Sequence, residues 1–507
     1  LKDLGDLTAS IESYQEAIRL RPNFVDAWNN IVFPLKTTKN VNLSLDKYLS
    51  GFPESKNSNY VQMAKSVLNY RLNLGGAFAE NCLNEALDTL SIFDNSVIKN
   101  PRWNRNLVNQ APTFPEKVIS LFQWGRSGTG LLHSLIDGHS EVSTLPSIYL
   151  SEFFDQANWE RITAGGWDEI IDRFIATYEV LFDASSSVPV ASKSGKFISN
   201  IGLQEGMANV GLQKDEVLCV DKALFRQVLG NLMDCFEEID AFVFFKLIQT
   251  AYDRSTNDYN EKSLIFYHIH NPDTYAQLNF LRLVPNCNWV LMVREPIQSC
   301  ESWVTDNFLN NDYFDIASSI ITMLFDIDSI VHEKYNSIGV RLEDLKERPR
   351  ETIPVLCDWM GISEQESLYE MTVQGKRWWG DPSSPDFEKD GKDPFGKTSI
   401  RRKVGSIFSN NDQFILRTLF YPFSVRFGYL DEDLEQFKVD LHTVRPMFDK
   451  MFDFEKVIVD RTQADPAEFM QSGSFLYLRS GLLERWNTLN KFGTYPNMIK
   501  PLKIARA

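Results

Sequence analysis

Residues 117–138 read KVISLFQWGRSGTGLLHSLIDG, and few folds accommodate such a stretch. The apolar run at 118–122 is short enough for a buried strand. A tight turn follows, Gly125-Arg126-Ser127-Gly128-Thr129-Gly130. Leu131, Leu132, Leu135 and Ile136 then recur at helical spacing, with Gly138 as a stop. Strand, glycine-rich turn and helix start together make an anion site, because turn N–H groups and the positive end of the helix dipole converge there. The turn lacks both the four-residue glycine spacing and the Lys-Ser/Thr pair of a nucleoside-triphosphate P-loop. Its basic residue, Arg126, comes before the second glycine. A guanidinium there offers a planar fork of donors for phosphate or sulfate oxygens. Taken alone, such a turn also occurs as a plain strand–helix connection that binds nothing.

The alternation continues downstream. Strands are expected at 264–270 (LIFYHIH), stopped by Asn271-Pro272, at 289–293 running into Arg294-Glu295-Pro296, and at 339–342. Strands alternating with helices imply an α/β fold, a parallel sheet flanked by helices. In such sheets ligands bind beyond the C-terminal strand ends, where Arg126, His270 and Arg294 all fall. Residues 147–262 read as mostly helical, with 223–252 as one long or broken helix. A long loop is expected at 374–405, rich in Gly, Pro and Asp and closing on the basic run Arg401-Arg402-Lys403.

Charge narrows the ligand. Asp and Glu number 68 against 52 Lys and Arg, a net −16, which argues against non-specific nucleic-acid or anionic-membrane binding. An anionic ligand then needs a locally basic pocket. No apolar run is long enough to span a bilayer. Six scattered cysteines without a C-x-x-C pair read as reduced thiols in a cytoplasmic protein, and neither they nor the six histidines have zinc-site spacing. The chain begins at Leu1, not Met, so its natural N-terminus and any targeting signal are expected upstream.

In residues 1–31, Gly5, Ser10, Tyr14, Ala17 and Pro22 fall where a tetratricopeptide repeat places its small, aromatic and helix-ending residues. The segment resembles the end of one repeat and the start of the next, a truncated α-helical array; an ordinary helical hairpin is the plainer alternative. The expected organisation is repeat-like helices at 1–50 and a helical connector and linker at 51–114. The main domain follows at 115–430, with a helical insertion at about 150–262, then an extension at 431–507 that folds back onto it.

Four ordered segments make 115–430 similar to sulfotransferases that use 3′-phosphoadenosine 5′-phosphosulfate (PAPS). GRSGTGLLHSLIDGHSEV resembles their 5′-phosphosulfate loop, and VPNCNWVLMVREPIQSCESW their 3′-phosphate motif, an Arg with a Ser eight residues on. VRLEDLKERPRETIPVLCDWMG resembles the strand and helix that follow, and RRKVGSIFSNND their closing nucleotide loop. The resemblance implies transfer of a sulfuryl group from PAPS to a hydroxyl or amine of a small molecule, glycan or peptide, with adenosine 3′,5′-bisphosphate (PAP) as product and no metal. It gives Arg126 the bridging oxygen and sulfuryl group, and Ser127, Gly128, Thr129 and Gly130 the 5′-phosphate. Arg294 and Ser302 hold the 3′-phosphate with Arg401, Arg402, Lys403 and Gly405 of the late loop. His270, with His268 as rival, is the candidate base. The protein-tyrosine branch uses a glutamate where this chain has Leu145-Pro146-Ser147, leaving Glu152 and Asp155 as further candidates. Gly130 stands where many relatives have a second Thr. Trp378 and Trp379 are expected either to stack on an acceptor or to pack in the core. The repeats are expected to hold a protein partner. A sulfotransferase-like scaffold without turnover is the alternative, and a P-loop kinase a third, disfavoured by the missing Gly-Lys-Ser/Thr.

Overall fold

A computed structural model describes residues 7–20, 27, 31, 34, 66–67, 70, 79–91, 97–110, 113–191, 197–270, 274–382, 387, 393–396 and 404–504. The apolar run becomes β1 (Lys117–Phe122), and residues 118–121 are buried on both faces, as an interior parallel strand requires. In chain order follow α1 (Thr129–Ile136), β2 (Val142–Ser143), β3 (Leu264–Ile269), β4 (Asn288–Val293), α2 (Pro296–Leu309), α3 (Tyr313–Asp326), β5 (Ser337–Arg341), α4 (Asn410–Arg426) and α5 (Gly473–Phe492). The sheet order is β2-β3-β1-β4-β5, and every pair is parallel. The chain leaves β1 to build one side of the sheet and then crosses to build the other. Strand order therefore reverses beside β1, which opens a crevice at its C-terminal end.

Side chains alternate faces along each strand. Ile119, Leu121, Phe266, Val290 and Met292 pack against Leu131, Leu132, Leu135 and Ile136 of α1. Val118, Ile265, Tyr267 and Trp289 point the other way, into a large aromatic lobe that includes Phe153, Phe154, Phe174, Phe225, Phe244 and Phe245. The stretch expected as one helix at 223–252 is two, Lys222–Met233 and Ala241–Ser255. The break comes where Asp240 caps the second helix and Glu238–Ile239 pairs with Ile98–Lys99. The expected linker is consequently tied down at both described sides. The Asn100 N–H donates to the Glu237 carbonyl at 2.7 Å, and the Phe114 ring meets Phe236 at 6.1 Å.

The C-terminal residues fold back onto the sheet's far side. Phe437, Leu441, Phe454, Leu478 and Leu482 share one apolar cluster with Val304, Ile316 and Ile320. Arg485 on α5 and Asp328 are both fully buried and paired at 2.8 Å, with the guanidinium 4.0 Å from the Phe325 ring. The Gly339 N–H donates to Lys500 O at 2.7 Å, and the Leu502 N–H donates to Gly339 O at 2.8 Å, so residues 500–502 cover the outer edge of β5. Of the repeat-like segment, Leu7–Leu20 is a helix, and Ala27 and Ile31 are buried helical residues. Gly5 and Pro22 lie outside the described residues. No helix among the described residues is long and apolar enough to cross a membrane.

Candidate active site

The turn after β1 requires its glycines. Gly125 sits at φ +57°, and a Cβ there would lie 2.5 Å from Ser299 Oγ. Gly128 sits at φ +90°, where a Cβ would lie 2.7 Å from Leu342 Cδ1. Between β1 and the turn, buried Trp124 donates Nε1–H to Met323 O at 2.9 Å, and the Ser299 hydroxyl donates to Trp124 O at 3.1 Å. The turn is thus fastened to α2 and α3. Gly128 is the N-cap of α1 and brings no capping side chain, so the first-turn N–H groups keep their capacity for an anion. Residues 125–130 line a cavity of about 580 Å³. Ser127 is buried on its wall, with a hydroxyl that has no hydrogen-bond partner among the described residues.

A second cationic position comes from β4. Arg294 is 4% exposed and also lines the cavity. Its guanidinium donates to Gln298 Oε1 at 3.0 Å and to the Arg126 carbonyl at 3.5 Å, bridging the two strand ends. Glu295 caps α2 by accepting from the Gln298 N–H at 2.8 Å, with Pro296 at the first helical position. Ser302, about two turns into α2, lines the same cavity. Its buried neighbour Glu301 gathers the late loop. One carboxylate accepts from the Gly405 N–H at 3.0 Å, Ser406 Oγ at 3.0 Å, the Ile407 N–H at 2.5 Å and the Phe408 N–H at 3.3 Å. Gly405 therefore anchors the loop to α2 and is not part of the cavity wall. Arg401, Arg402 and Lys403 lie outside the described residues. Lys346, which the sequence reading passed over, lines the cavity from the helix after β5, with Nζ on Pro394 O and Gly396 O at 3.0 Å each.

The cavity wall also includes His133, His268, His270, Ser147, Glu205, Trp378 and Asp381. Thr144 donates its single hydroxyl proton to Phe266 O at 2.7 Å, so the 2.8 Å bond to His133 must be a donation from His133 Nε2–H. Burial holds His133 down at about 4. His268 lies 5.2 Å from the His133 ring and has no partner for either ring nitrogen among the described residues. Burial first, then His133 and His270, hold it well below the usual imidazole range. His270 follows β3, with its backbone N–H on Ser151 Oγ at 3.0 Å and its ring at the cavity.

Glu152 and Asp155 are elsewhere. Asp155 accepts from the Asn158 N–H at 3.2 Å at the start of helix Gln156–Thr163. Burial, and to a lesser degree these two carboxylates, push the Tyr178 phenol upward against the pull of Arg161. Neither carboxylate lines the cavity. Three carboxylates do, Asp137, Asp381 and Glu205, and Glu205 sits at the end of the short helix Ile201–Gln204 of the insertion, where it accepts a hydrogen bond from Ser147 Oγ. Burial raises it to about 7, with Asp381 adding to the rise while Ser147 and Tyr149 oppose it. The only sequence signal was indirect: the missing carboxylate at 145–147 has to be supplied from another segment.

Trp378 and Trp379 part company. Trp379 is core: its Nε1–H donates to Gly211 O at 2.6 Å, and Arg377 and Lys214 lie 3.8 and 4.6 Å from its ring. Trp378 is a cavity wall. Its Nε1–H donates to Glu205 O at 3.0 Å, and its Cη2 would lie 3.5 Å from a Cβ on Gly130. The indole occupies the space above Gly130. Asp137 supports it by accepting from the Gln374 and Gly375 N–H groups at 3.0 and 3.1 Å, which holds the hairpin of Thr372–Val373 and Lys376–Arg377 against α1. The loop expected from 374 thus begins as an ordered turn. No group of three or more His, Cys, Asp or Glu that could hold a metal occurs among the described residues.

A tetratricopeptide-repeat family model matches residues 1–31. No curated protein matches the chain. Solved structures it resembles include two sulfotransferase domains and a sulfotransferase. The domain from the Synechococcus PCC 7002 olefin synthase is 15% identical with a TM-score of 0.32, covering 63% of this chain and 98% of that one. The domain from the curacin biosynthetic pathway is 14% identical with a TM-score of 0.29, covering 60% and 98%. Sulfotransferase STF9 from Mycobacterium avium is 10% identical with a TM-score of 0.25, covering 66% and 80%. At these values the likeness fixes no activity.

Proposed function

We propose that the chain is a PAPS-dependent sulfotransferase acting on an acceptor hydroxyl. One observation carries this reading: two separate sets of donors, the turn at 125–130 and the Arg294–Ser302 pair, line one cavity at the sheet's switch point. A nucleotide bearing 5′- and 3′-phosphate groups needs two such sets. The buried, unpartnered Ser127 hydroxyl and the Cβ-free cradle of Gly125 and Gly128 suit the first. PAPS supplies an activated sulfuryl group when bound. Arg126, exposed on the wall, neutralises charge on the 5′-phosphate side. The first-turn N–H groups of α1 orient that phosphate, and Arg294 with Ser302 fixes the 3′-phosphate, which sets the nucleotide's register. The basic run 401–403 completes the 3′ side in this reading. The repeat-like helices serve a protein partner, and the six free cysteines suit a reducing cytoplasm.

Calorimetric titration tests the donor. PAP should bind the wild-type protein without a divalent ion, whereas ATP with Mg²⁺ should bind far more weakly. Preference for ATP with Mg²⁺ would replace this reading with a phosphoryl-transfer one.

A further inference from the structure

We propose that Glu205, delivered by the helical insertion, is the base that takes the proton from the acceptor hydroxyl; this rests on the donor reading above. The geometry assigns it. Glu205 lines the cavity that holds Arg126 and Arg294, one indole away from the turn, since Trp378 spans from Gly130 to the Glu205 carbonyl. Its position is over-determined. Ser147, held at φ +53°, donates its hydroxyl to Glu205 Oε2. Gly206, at φ +73°, packs so tightly on the next segment that a Cβ would lie 2.5 Å from Gly380 O. Ser147 thus meets the carboxylate itself, while Trp378 and Gly380 hold the backbone at Glu205 and Gly206.

The chemical setting agrees. A carboxylate raised to about 7 is poised to accept a proton near neutrality, and a positioned base of this kind contributes about 10²–10⁴ in rate. The titratable and charged groups that line the cavity with Glu205 are Asp137, Asp381, His133, His268 and His270, with Arg126, Arg294 and Lys346, and Tyr149 acts on Glu205 from the loop that carries Ser147. His268 is held well below the usual imidazole range, which makes it a weak base. In the transfer, the acceptor oxygen bonds to sulfur as the bond from sulfur to the bridging phosphate oxygen breaks. That electron pair stays on the phosphate, and the acceptor proton passes to the Glu205 carboxylate.

The test uses the whole chain, with ³⁵S-labelled PAPS as donor and water or phenol as acceptor, since a phenol that ionises at about 10 stays protonated through neutral pH. Glu205→Gln should lower turnover about 10²–10⁴-fold, and Glu205→Asp should recover part of it. The wild-type rate should rise with pH through about 7, and Glu205→Gln should lose that limb. PAP binding should be the same in both. Difference infrared titration should show a carboxyl band vanishing near neutral pH in wild type and absent from Glu205→Gln. Turnover within threefold of wild type in Glu205→Gln, or loss of the limb in His270→Gln instead, would overturn the assignment while PAP binding stands. Failure of wild-type protein to bind PAP would overturn the donor reading and this proposal with it.

Discussion

The nucleotide end and the acceptor end that we propose for the cavity are assembled on different principles. Residues 125–130 form one turn, and Arg294 and Ser302 sit eight residues apart on one strand end and its helix. Ser147, Glu205, His270 and Trp378 come from four segments spread over more than two hundred residues. The first end is local backbone geometry, fastened to the sheet by Trp124 and Ser299. The second exists only once the helical lobe and the hairpin have docked. A nucleotide common to many reactions suits a fixed, local cradle. An acceptor particular to one reaction suits a wall built from inserted pieces.

Three variants sharpen this contrast. The largest effect is expected at Arg126→Ala. Losing one charge-stabilising donor costs ~2.7–4 kcal/mol of transition-state stabilisation, about 10²–10³ in turnover, read by steady-state release of labelled sulfate. Unchanged turnover would remove Arg126 from the mechanism. Next is Glu301→Ala, which strips the shared acceptor from the Gly405, Ile407 and Phe408 N–H groups. A buried donor left unsatisfied costs about 1–3 kcal/mol, so both the melting temperature and PAP affinity should fall although Glu301 touches no ligand. If only the melting temperature falls, the late loop plays no part in the nucleotide end. Trp378→Ala should act mainly on the acceptor end, although its ring lies above Gly130. KM for phenol should rise severalfold with PAP affinity falling by less, and a change confined to PAP would show that the two ends are one.

The strand, turn and helix at 117–136 were legible because their determinants are contiguous. An apolar run, a turn demanding glycine and a helical repeat fixed β1, the turn and α1. The parallel topology then carried the ends of β1, β3 and β4 to one crevice. The acceptor end was obscure for a physical reason. Glu205 lies in a segment whose short elements carry no clear period, and it gains meaning only through Ser147, 58 residues away. Lys346 was hidden similarly on the helix after β5, and two-residue β2 is too short for any alternation to register.

The smallest effect is a matter of pH. Glu205 is raised to about 7 in the fold from an ordinary value of 4.5, so the unfolded chain releases this proton more readily. Its favourable contribution is present at acid pH and is lost as pH rises through 7. Glu205→Gln should therefore melt higher than wild type at pH 8, with the difference shrinking towards pH 4. An equal difference at both values would mean that ionisation of Glu205 is not what costs stability.

The separation of the two ends is tested most directly by melting temperature with and without PAP in wild type, Arg294→Ala and Glu205→Gln. At about 100 times its dissociation constant PAP should stabilise wild type by ~2.7 kcal/mol. The same rise is expected in Glu205→Gln, and little or none in Arg294→Ala. A rise that survives in Arg294→Ala, or one that disappears in Glu205→Gln, would contradict a nucleotide site centred on the ends of β1 and β4.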